Sequence, residues 1–250
     1  MPDELQPSSS WLITQDLGGV PYAETLEYQR SLLAQVLESR ENGPSKGFLL
    51  LLEHNPAVVT VTRRPDAASH VLASEELLAK HGIERVETDR GGDVTYHGPG
   101  QLVVYPIIDL NLLGLRIHGY VRLLEQVAID TCAHFGVVAD RDSSATGVWV
   151  GRTADMPEGT GGRKIAALGV RVSRWISMHG LALNVEPNLN HYQLIVPCGL
   201  HGRGVTSLAA EHDSQSPTMA QVKATFETCF RARVDHPEEF RDRVRRERNQ

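Results

Sequence analysis

The sequence predicts an α+β protein, a mixed or antiparallel sheet with helices packed on one side. Three observations carry that prediction. Apolar runs of strand length cluster together, without the regular strand–helix alternation that would build a parallel sheet. Patterns with helical period occur only near the start, the middle and the end of the chain. No internal repeat and no linker interrupts them, so one domain is expected over 11–235, between a disordered polar stretch at 1–10 and a charged tail at 236–250.

The elements follow in order. Trp11 to Asp16 reads as a short strand. From Tyr22 to Ser39, Leu26, Leu32, Leu33, Val36 and Leu37 recur at helical spacing, and Glu41-Asn42-Gly43-Pro44-Ser45 stops that helix. Gly47 to Leu52 and Ala57 to Thr62 are strand-like runs, expected to neighbour each other or form a hairpin around the turn-like Glu53-His54-Asn55-Pro56. Ser74 is placed to cap a short helix ending at Lys80, with Glu75 and Glu76 in its first turn. Ile83 to Glu87 and Leu102 to Asp109 are further strands. Pro106, which lacks a ladder donor, argues for an edge or a bulge in the second. Tyr120 to His134 is a second helix, and Val137-Val138 can start a strand after Gly136. Gly147 to Val150 is a short strand. Lys164 to Arg174 and Ile176 to Val185 are two long strands, able to pair as a hairpin around Arg174-Trp175. Pro187 to Tyr192 reads as a turn or short helix, and a last helix runs from Thr218 to about Arg231.

Composition narrows the class. An apolar fraction of 41%, a charged fraction of 22% and a net charge of -6 in 250 residues describe an ordinary globular chain rather than a general nucleic-acid binder. Cys132, Cys198 and Cys229 have no metal-like spacing, and an odd number suits a reducing compartment better than a disulfide framework. The first ten residues lack the basic and apolar regions of a secretory signal, and no apolar run is long enough to span a membrane, so the cytosol is the expected location. No metal and no cofactor is expected.

One stretch is too costly to be a simple connection. Arg90-Gly91-Gly92-Asp93-Val94-Thr95-Tyr96-His97-Gly98-Pro99-Gly100-Gln101 uses twelve residues, four of them glycine, where a corner needs about two to five. It reads as a binding loop set on a rigid strand. The reactive groups lie elsewhere. In the strand after Gly162, Lys164 shares its parity with Ala166, Leu168, Val170 and Val172, which points its amine inward. Cys198 sits between Pro197 and Gly199, one stiffening the approach and one leaving room beside the sulfur. Free cysteine, with a pKa near 8.5, is only a few per cent thiolate at neutral pH, and a lysine ammonium beside it raises that fraction. The N–H groups of Gly199 and Leu200 are candidate oxyanion donors.

Each group also has a bland reading. Cys198 could be a small buried hydrophobe, as Cys132 and Cys229 in their helices are expected to be. Lys164 could be a solvated strand-end lysine. His97 and His179 could be site residues or scaffold histidines, and His54 reads as a turn residue. Gly159 to Gly162 lacks the spacing of a phosphate loop. The arginine run Arg243 to Arg248 reads as a solvated helix face.

Four blocks together resemble the lipoyl(octanoyl) transferases, the octanoyl-[acyl-carrier-protein]:protein N-octanoyltransferases. They are the Arg90–Gln101 loop; Gly162-Arg163-Lys164-Ile165-Ala166-Ala167-Leu168-Gly169-Val170; Met178-His179-Gly180-Leu181-Ala182-Leu183-Asn184-Val185; and Ile195-Val196-Pro197-Cys198-Gly199-Leu200 with Gly204-Val205-Thr206-Ser207-Leu208. They stand in the family's order and spacing, and the resemblance covers about 15–235. It implies the α+β fold of the biotin and lipoate protein ligases. It implies transfer of an octanoyl group from acyl carrier protein to a specific lysine of a lipoyl domain of 2-oxoacid dehydrogenase E2 subunits, or of glycine-cleavage H protein, without ATP; a monomer is expected. The family's acyl-thioester nucleophile falls on Cys198 and the lysine that lowers its pKa on Lys164. The family's substrate-binding stretches fall on Arg90, Gly91, Gly92, Asp93, Val94, Thr95, Tyr96 and His97, on Ala167, Leu168 and Gly169, and on Gly180, Leu181 and Ala182, with His179 in a supporting place. Two departures are visible: Thr62-Arg63 stands where the family usually has Gly-Arg, and the polar segment Thr153 to Gly161 is longer than expected.

An ATP-dependent ligase on the same fold would need no cysteine. An acyltransferase working between two lipoyl-domain proteins would differ in its donor, and a non-catalytic carrier-binding module would never be covalently modified. The acidic carrier is expected to meet some of Arg63, Arg90, Arg116, Arg122, Arg163 and Arg203.

Overall fold

A computed structural model describes residues 11–151, 156, 160–196, 203–212 and 216–237. Among them, β1 (Leu12–Val20), β2 (Gly47–His54), β6 (Gln101–Ile107), β10 (Ile176–Asn184), β9 (Arg163–Ser173), β8 (Ala145–Val150) and β7 (Ala139–Asp142) lie side by side in that order. The short β11 (Gly204–Val205) runs parallel to the start of β9. β1 and β2 are parallel, and the rest of the row is antiparallel. A second, smaller sheet has β3 (Ala57–Thr62) between β4 (Ile83–Thr88) and β5 (Thr95–His97).

The mixed sheet agrees with the sequence reading, but the helices do not sit on one side. α4 (Ile117–His134) and α5 (Met219–Asp235) cover one face of the large sheet, over Leu49, Leu51, Leu102 and Leu183. α1 (Tyr22–Asn42) covers the other, over Phe48, Leu50, Leu52 and Tyr105. The reason is written in β2, where Phe48 to Leu52 is apolar at every position. A strand buried on both faces needs that pattern, not alternation.

Two further expectations are corrected. β2 and β3 form no hairpin: at the cis Asn55-Pro56 bond the chain leaves the large sheet and enters the small one. β6 is not an edge strand, since it lies between β2 and β10. Pro106 is tolerated there because the ladder to β10 ends at Val104, so the missing N–H interrupts no pairing on that side.

Other elements fall close to their predicted places. Ser74 accepts the Leu77 N–H at the start of α2 (Glu75–Lys80), and Thr218 and Gln221 close a capping box on α5. β9 and β10 turn back on each other through Arg174 and Trp175, both at positive φ. A short helix, α3 (Leu110–Leu113), precedes α4 and was not foreseen. No helix among the described residues is long and apolar enough to cross a membrane.

Candidate active site

The glycine-rich loop roofs a narrow, open cleft. β5 places the side chains by simple alternation. Thr95 and His97 face the cleft, while Tyr96 points away into the small core, its hydroxyl 2.9 Å from His191 Nδ1. Arg90, Gly92, Asp93 and Val94 complete the roof, and Ala167, Leu168 and Gly169 on β9 with Gly180, Leu181 and Ala182 on β10 make the floor. Antiparallel register sets these triplets opposite each other, Ala167 against Ala182 and Gly169 against Gly180.

Glycine is required where the roof meets the floor. The Gly91 N–H donates to Val170 O at 2.9 Å, and a Cβ on Gly169 would stand 2.8 Å from Gly91 O. A Cβ on Gly180 would stand 2.2 Å from Val104 O, inside any contact distance. Gly91 therefore serves the contact between loop and strand rather than the wall of the cleft.

Arg90 turns inward. Its guanidinium donates to Thr60 O, Thr60 Oγ1, Asp93 O and Gly91 O, at 2.7 to 3.2 Å. A planar fork with five donors can hold two loop carbonyls and both oxygens of Thr60 on β3 at once, which a lysine cannot. Asp93 accepts the Val94 N–H and lies 2.7 Å from His70 Nδ1. Arg122, Arg163 and Arg203 are likewise committed to acidic partners within the chain, and Arg116 stacks over Trp175. Arg63 is exposed.

Beyond the floor, the cleft meets Tyr22, Tyr105 and His179. Neither tyrosine was singled out from the sequence. Tyr105 stands inside an apolar run of a buried strand, and a phenol there needs a polar partner, which was the available signal. That partner is His54, which is no turn residue: it ends β2, fully buried, with its ring edge-on to Tyr22.

The hydrogen bonds fix the protonation of all three histidines. His54 Nδ1 lies 3.1 Å from Val20 O, which can only accept, so Nδ1 carries the proton and Nε2 accepts from the Tyr105 hydroxyl at 2.8 Å. Asn184 Nδ2 donates to Thr206 O, so Asn184 Oδ1 accepts from Gln101 Nε2, and Gln101 Oε1 accepts from His97 Nδ1 at 2.7 Å. His97 therefore presents the lone pair of Nε2. His179 Nε2 donates to Asp89 Oδ1 at 2.9 Å, leaving the lone pair on Nδ1. Burial pushes the pKa of His97 well below its ordinary value, with His54 adding to the effect. Burial also lowers His179, against the opposing pull of Asp89, and brings His54 to about 4. Burial raises Asp89, but its bonds to His179 and Arg171 outweigh that and hold it below the usual carboxylate range.

Lys164 is 5% exposed, so it is not a solvated strand-end lysine. Its Nζ donates to Thr146 O at 3.2 Å and lies 4.7 Å from the centre of the Trp149 ring. Along β9 it precedes the floor residue Ala167 by three positions, about 10 Å of strand. Cys198, with Gly199 and Leu200, lies outside the described residues, as do Gly159 and the run Arg243 to Arg248. The described residues before and after 197–202 are anchored at the site. The Val196 N–H donates to His70 O, beside Asp93, and Val205 pairs with Lys164. Cys132 is fully buried, and burial pushes its thiol up to about 12, which makes it inert. No cluster able to hold a metal ion occurs among the described residues.

Residues 21–231 match the family model described as the lipoyl protein ligase A/B catalytic domain. The chain belongs to this family. Among its relatives, a protein named octanoyltransferase from Solibacter usitatus is 48% identical over 196 residues, which are 78% of this chain and 81% of that one. Another from Gloeobacter violaceus is 49% identical over 183 residues, 73% of each chain, and one from Flavobacterium johnsoniae is 41% identical over 217 residues, 84% and 90%. Among solved structures, the bi-partite lipoate protein ligase of Thermoplasma acidophilum superposes with a TM-score of 0.63 at 16% identity, covering 90% of this chain and 83% of that one. Lipoate-protein ligase A bound with ATP gives 0.62 at 16%, covering 90% and 85%. At such identity these two describe the fold alone, and they place this member of the family among the α+β ligase-like folds.

Proposed function

We propose that this member of the lipoyl protein ligase A/B family carries an octanoyl group from the phosphopantetheine thioester of acyl carrier protein to a specific lysine of a lipoyl domain or of H protein, by way of a thioester on Cys198. The observation that carries the reading is the near full-length likeness to octanoyltransferases, coupled to a trough of small residues that begins about three residues from a buried lysine. The enzyme is an acyltransferase of lipoate assembly.

The chemistry follows from the groups available. The Cys198 thiolate attacks the thioester carbonyl, backbone N–H groups stabilise the oxyanion, and the carrier's sulfur leaves as the thiol with a proton given up by the Lys164 ammonium, which leaves that amine neutral for the second step. The acceptor lysine amine then attacks the new thioester. Its proton passes to Lys164, whose anionic partner has by then become a neutral thioester, and the thiolate is released as the amide forms. A thioester is a more activated acyl donor than an amide, so no ATP is consumed. Burying the acyl chain at about 0.8 kcal/mol per methylene supplies roughly 5 kcal/mol to hold the donor. Gly169, Gly180, Ala167 and Ala182 leave the space for it. A reducing compartment such as the cytosol suits a free catalytic thiol.

The test is turnover without ATP. Octanoyl-carrier protein and a lipoyl domain should yield octanoylated acceptor, and Lys164→Met should lower kcat by about 10²- to 10⁴-fold, the usual weight of a proton-transfer group. Product formed only with ATP and free octanoate would make the protein a ligase.

A further inference from the structure

Lys164 carries its amine on a long stem, and holding such a stem in one place costs rotamer entropy. The 3.2 Å bond to Thr146 O fixes the direction of one N–H. The charge and the carbons behind it need a surface to lie against, and Trp149 supplies one. β8 and β9 are antiparallel, and Trp149 is the cross-strand partner of Lys164, so the two side chains stand on the same face of the sheet. The Lys164 Nζ lies 4.7 Å from the centre of the indole ring, within the range of a cation–π contact. Trp149 is 1% exposed and Lys164 is 5% exposed, and burial strengthens such a contact.

The ring is itself held. The Arg203 guanidinium stacks on it, with Cζ 3.4 Å from the ring centre. Arg203 is anchored in turn: Nη1 donates to Asp142 Oδ2 at 2.7 Å, and Nε donates to Gly161 O at 3.1 Å. The indole N–H donates to Ala145 O at 3.1 Å. A flat ring gripped by a stacked guanidinium and by its own N–H cannot tilt without losing one of them. On the other side of the amine, Glu125 accepts the Gly147 N–H at 3.1 Å and so steadies the turn of chain that presents Thr146 O. Both groups that Lys164 meets here, the carbonyl and the ring, are uncharged. They place the ammonium without neutralising it.

We infer that Trp149 is a positioning residue for the acyl transfer: its clamped ring, with Thr146 O, holds the Lys164 amine in the place from which it gives up a proton and takes one back. Trp149 acts through Lys164 and exchanges no proton itself. The inference rests on the acyl-transfer reading, with Lys164 as the proton-transfer group, and deepens it by naming what sets that group in place.

The experiment is a double-mutant cycle on kcat, with octanoyl-carrier protein as donor and a lipoyl domain as acceptor. Trp149→Met keeps an apolar side chain and removes the π face. It is expected to lower kcat by about thirtyfold, the weight of a desolvated cation–π contact, with the donor KM within about threefold of the parent. Trp149→Phe keeps a face and is expected to stay within about threefold of the parental kcat. In a Lys164→Met background, Trp149→Met is expected to cost no more than about twofold, because the residue it acts through is gone. A Trp149→Met enzyme within about threefold of the parent would overturn the inference, and so would an equal loss in both backgrounds, which is what a merely structural role gives. Lys164→Met at the parental kcat would sink the reading of Lys164 as the proton-transfer group, and the inference with it. The unmodified protein gives a check that needs no variant. Its lysines are Lys46, Lys80, Lys164 and Lys223 alone, so their Hε signals can be resolved by NMR with isotope-labelled lysine. The ring current of the indole is expected to move the Lys164 Hε signals upfield of the others. Four sets of Hε signals at the position of free lysine would overturn the inference whether or not the variants fold.

Discussion

Gly180 sets the local limit on change. Its missing side chain lets β10 lie against Val104 O, and a methyl there would sit 2.2 Å from that oxygen. Since the oxygen belongs to the central strand β6, it cannot swing aside as a side chain would. Gly180→Ala is expected to cost about 3 kcal/mol or more, as overpacking does, and to lower Tm by roughly 6–12 °C. A Tm within about 2 °C of the parent in a thermal melt would contradict the close approach. His54 sets a limit of another kind. It is held neutral in the fold with a pKa of about 4, against 6.5 when unfolded. Between those values the unfolded chain binds the extra proton, so stability rises with pH across that window and is complete above about 6.5. Cooling the comparison to one residue, His54→Gln should flatten the slope of unfolding free energy between pH 4 and 6.5 by up to roughly 3 kcal/mol in total, read from urea melts. A parent protein equally stable at both ends of that window would rule out a buried neutral His54. At this scale the motifs led to His97 and Gly180, which line the cleft, and strand parity led to the burial of Lys164. The sequence said less of Tyr22 and Tyr105, which reach the cleft from other elements, Tyr105 announced only as a phenol inside an apolar run.

The loop from Arg90 to His97 works as an element because one guanidinium ties its turns together and to β3. Arg90→Lys keeps the charge and loses the fork. It is expected to leave the far-UV circular dichroism unchanged, to speed amide exchange across Gly91 to Val94, and to raise the donor KM by about tenfold, roughly one bidentate contact's worth. Parental exchange rates in that loop would show that Arg90 braces nothing. Elements with their own signals were legible: the Ser74 cap, the helix starting at Thr218 and the turn at Arg174-Trp175, whereas β5 was hidden inside the glycine-rich loop. The partition of strands was not. Glu53-His54-Asn55-Pro56 looks like a hairpin turn because it contains turn residues, but the partners of β2 and β3 lie elsewhere in the chain, β2 pairing with β6 and β3 with β5. Pro106 misled in the same way, since a proline reports only that one donor is absent, not that the whole strand lacks a neighbour.

At the scale of the molecule, the large sheet is a wall with a helical layer on each face, and the small sheet folds the glycine-rich loop down onto it. That arrangement gives the cleft a floor of small residues and a braced roof, with the buried Lys164 three strand positions from the floor residue Ala167. The central claim is that an acyl group passes through Cys198, and intact mass tests it most directly. The protein is mixed with octanoyl-loaded carrier protein, with neither ATP nor acceptor. The account predicts a gain equal to one octanoyl group, removed by hydroxylamine and absent from Cys198→Ser. A protein that octanoylates its acceptor at the parental rate as Cys198→Ser, or stays unmodified until ATP and free octanoate are supplied, would contradict it.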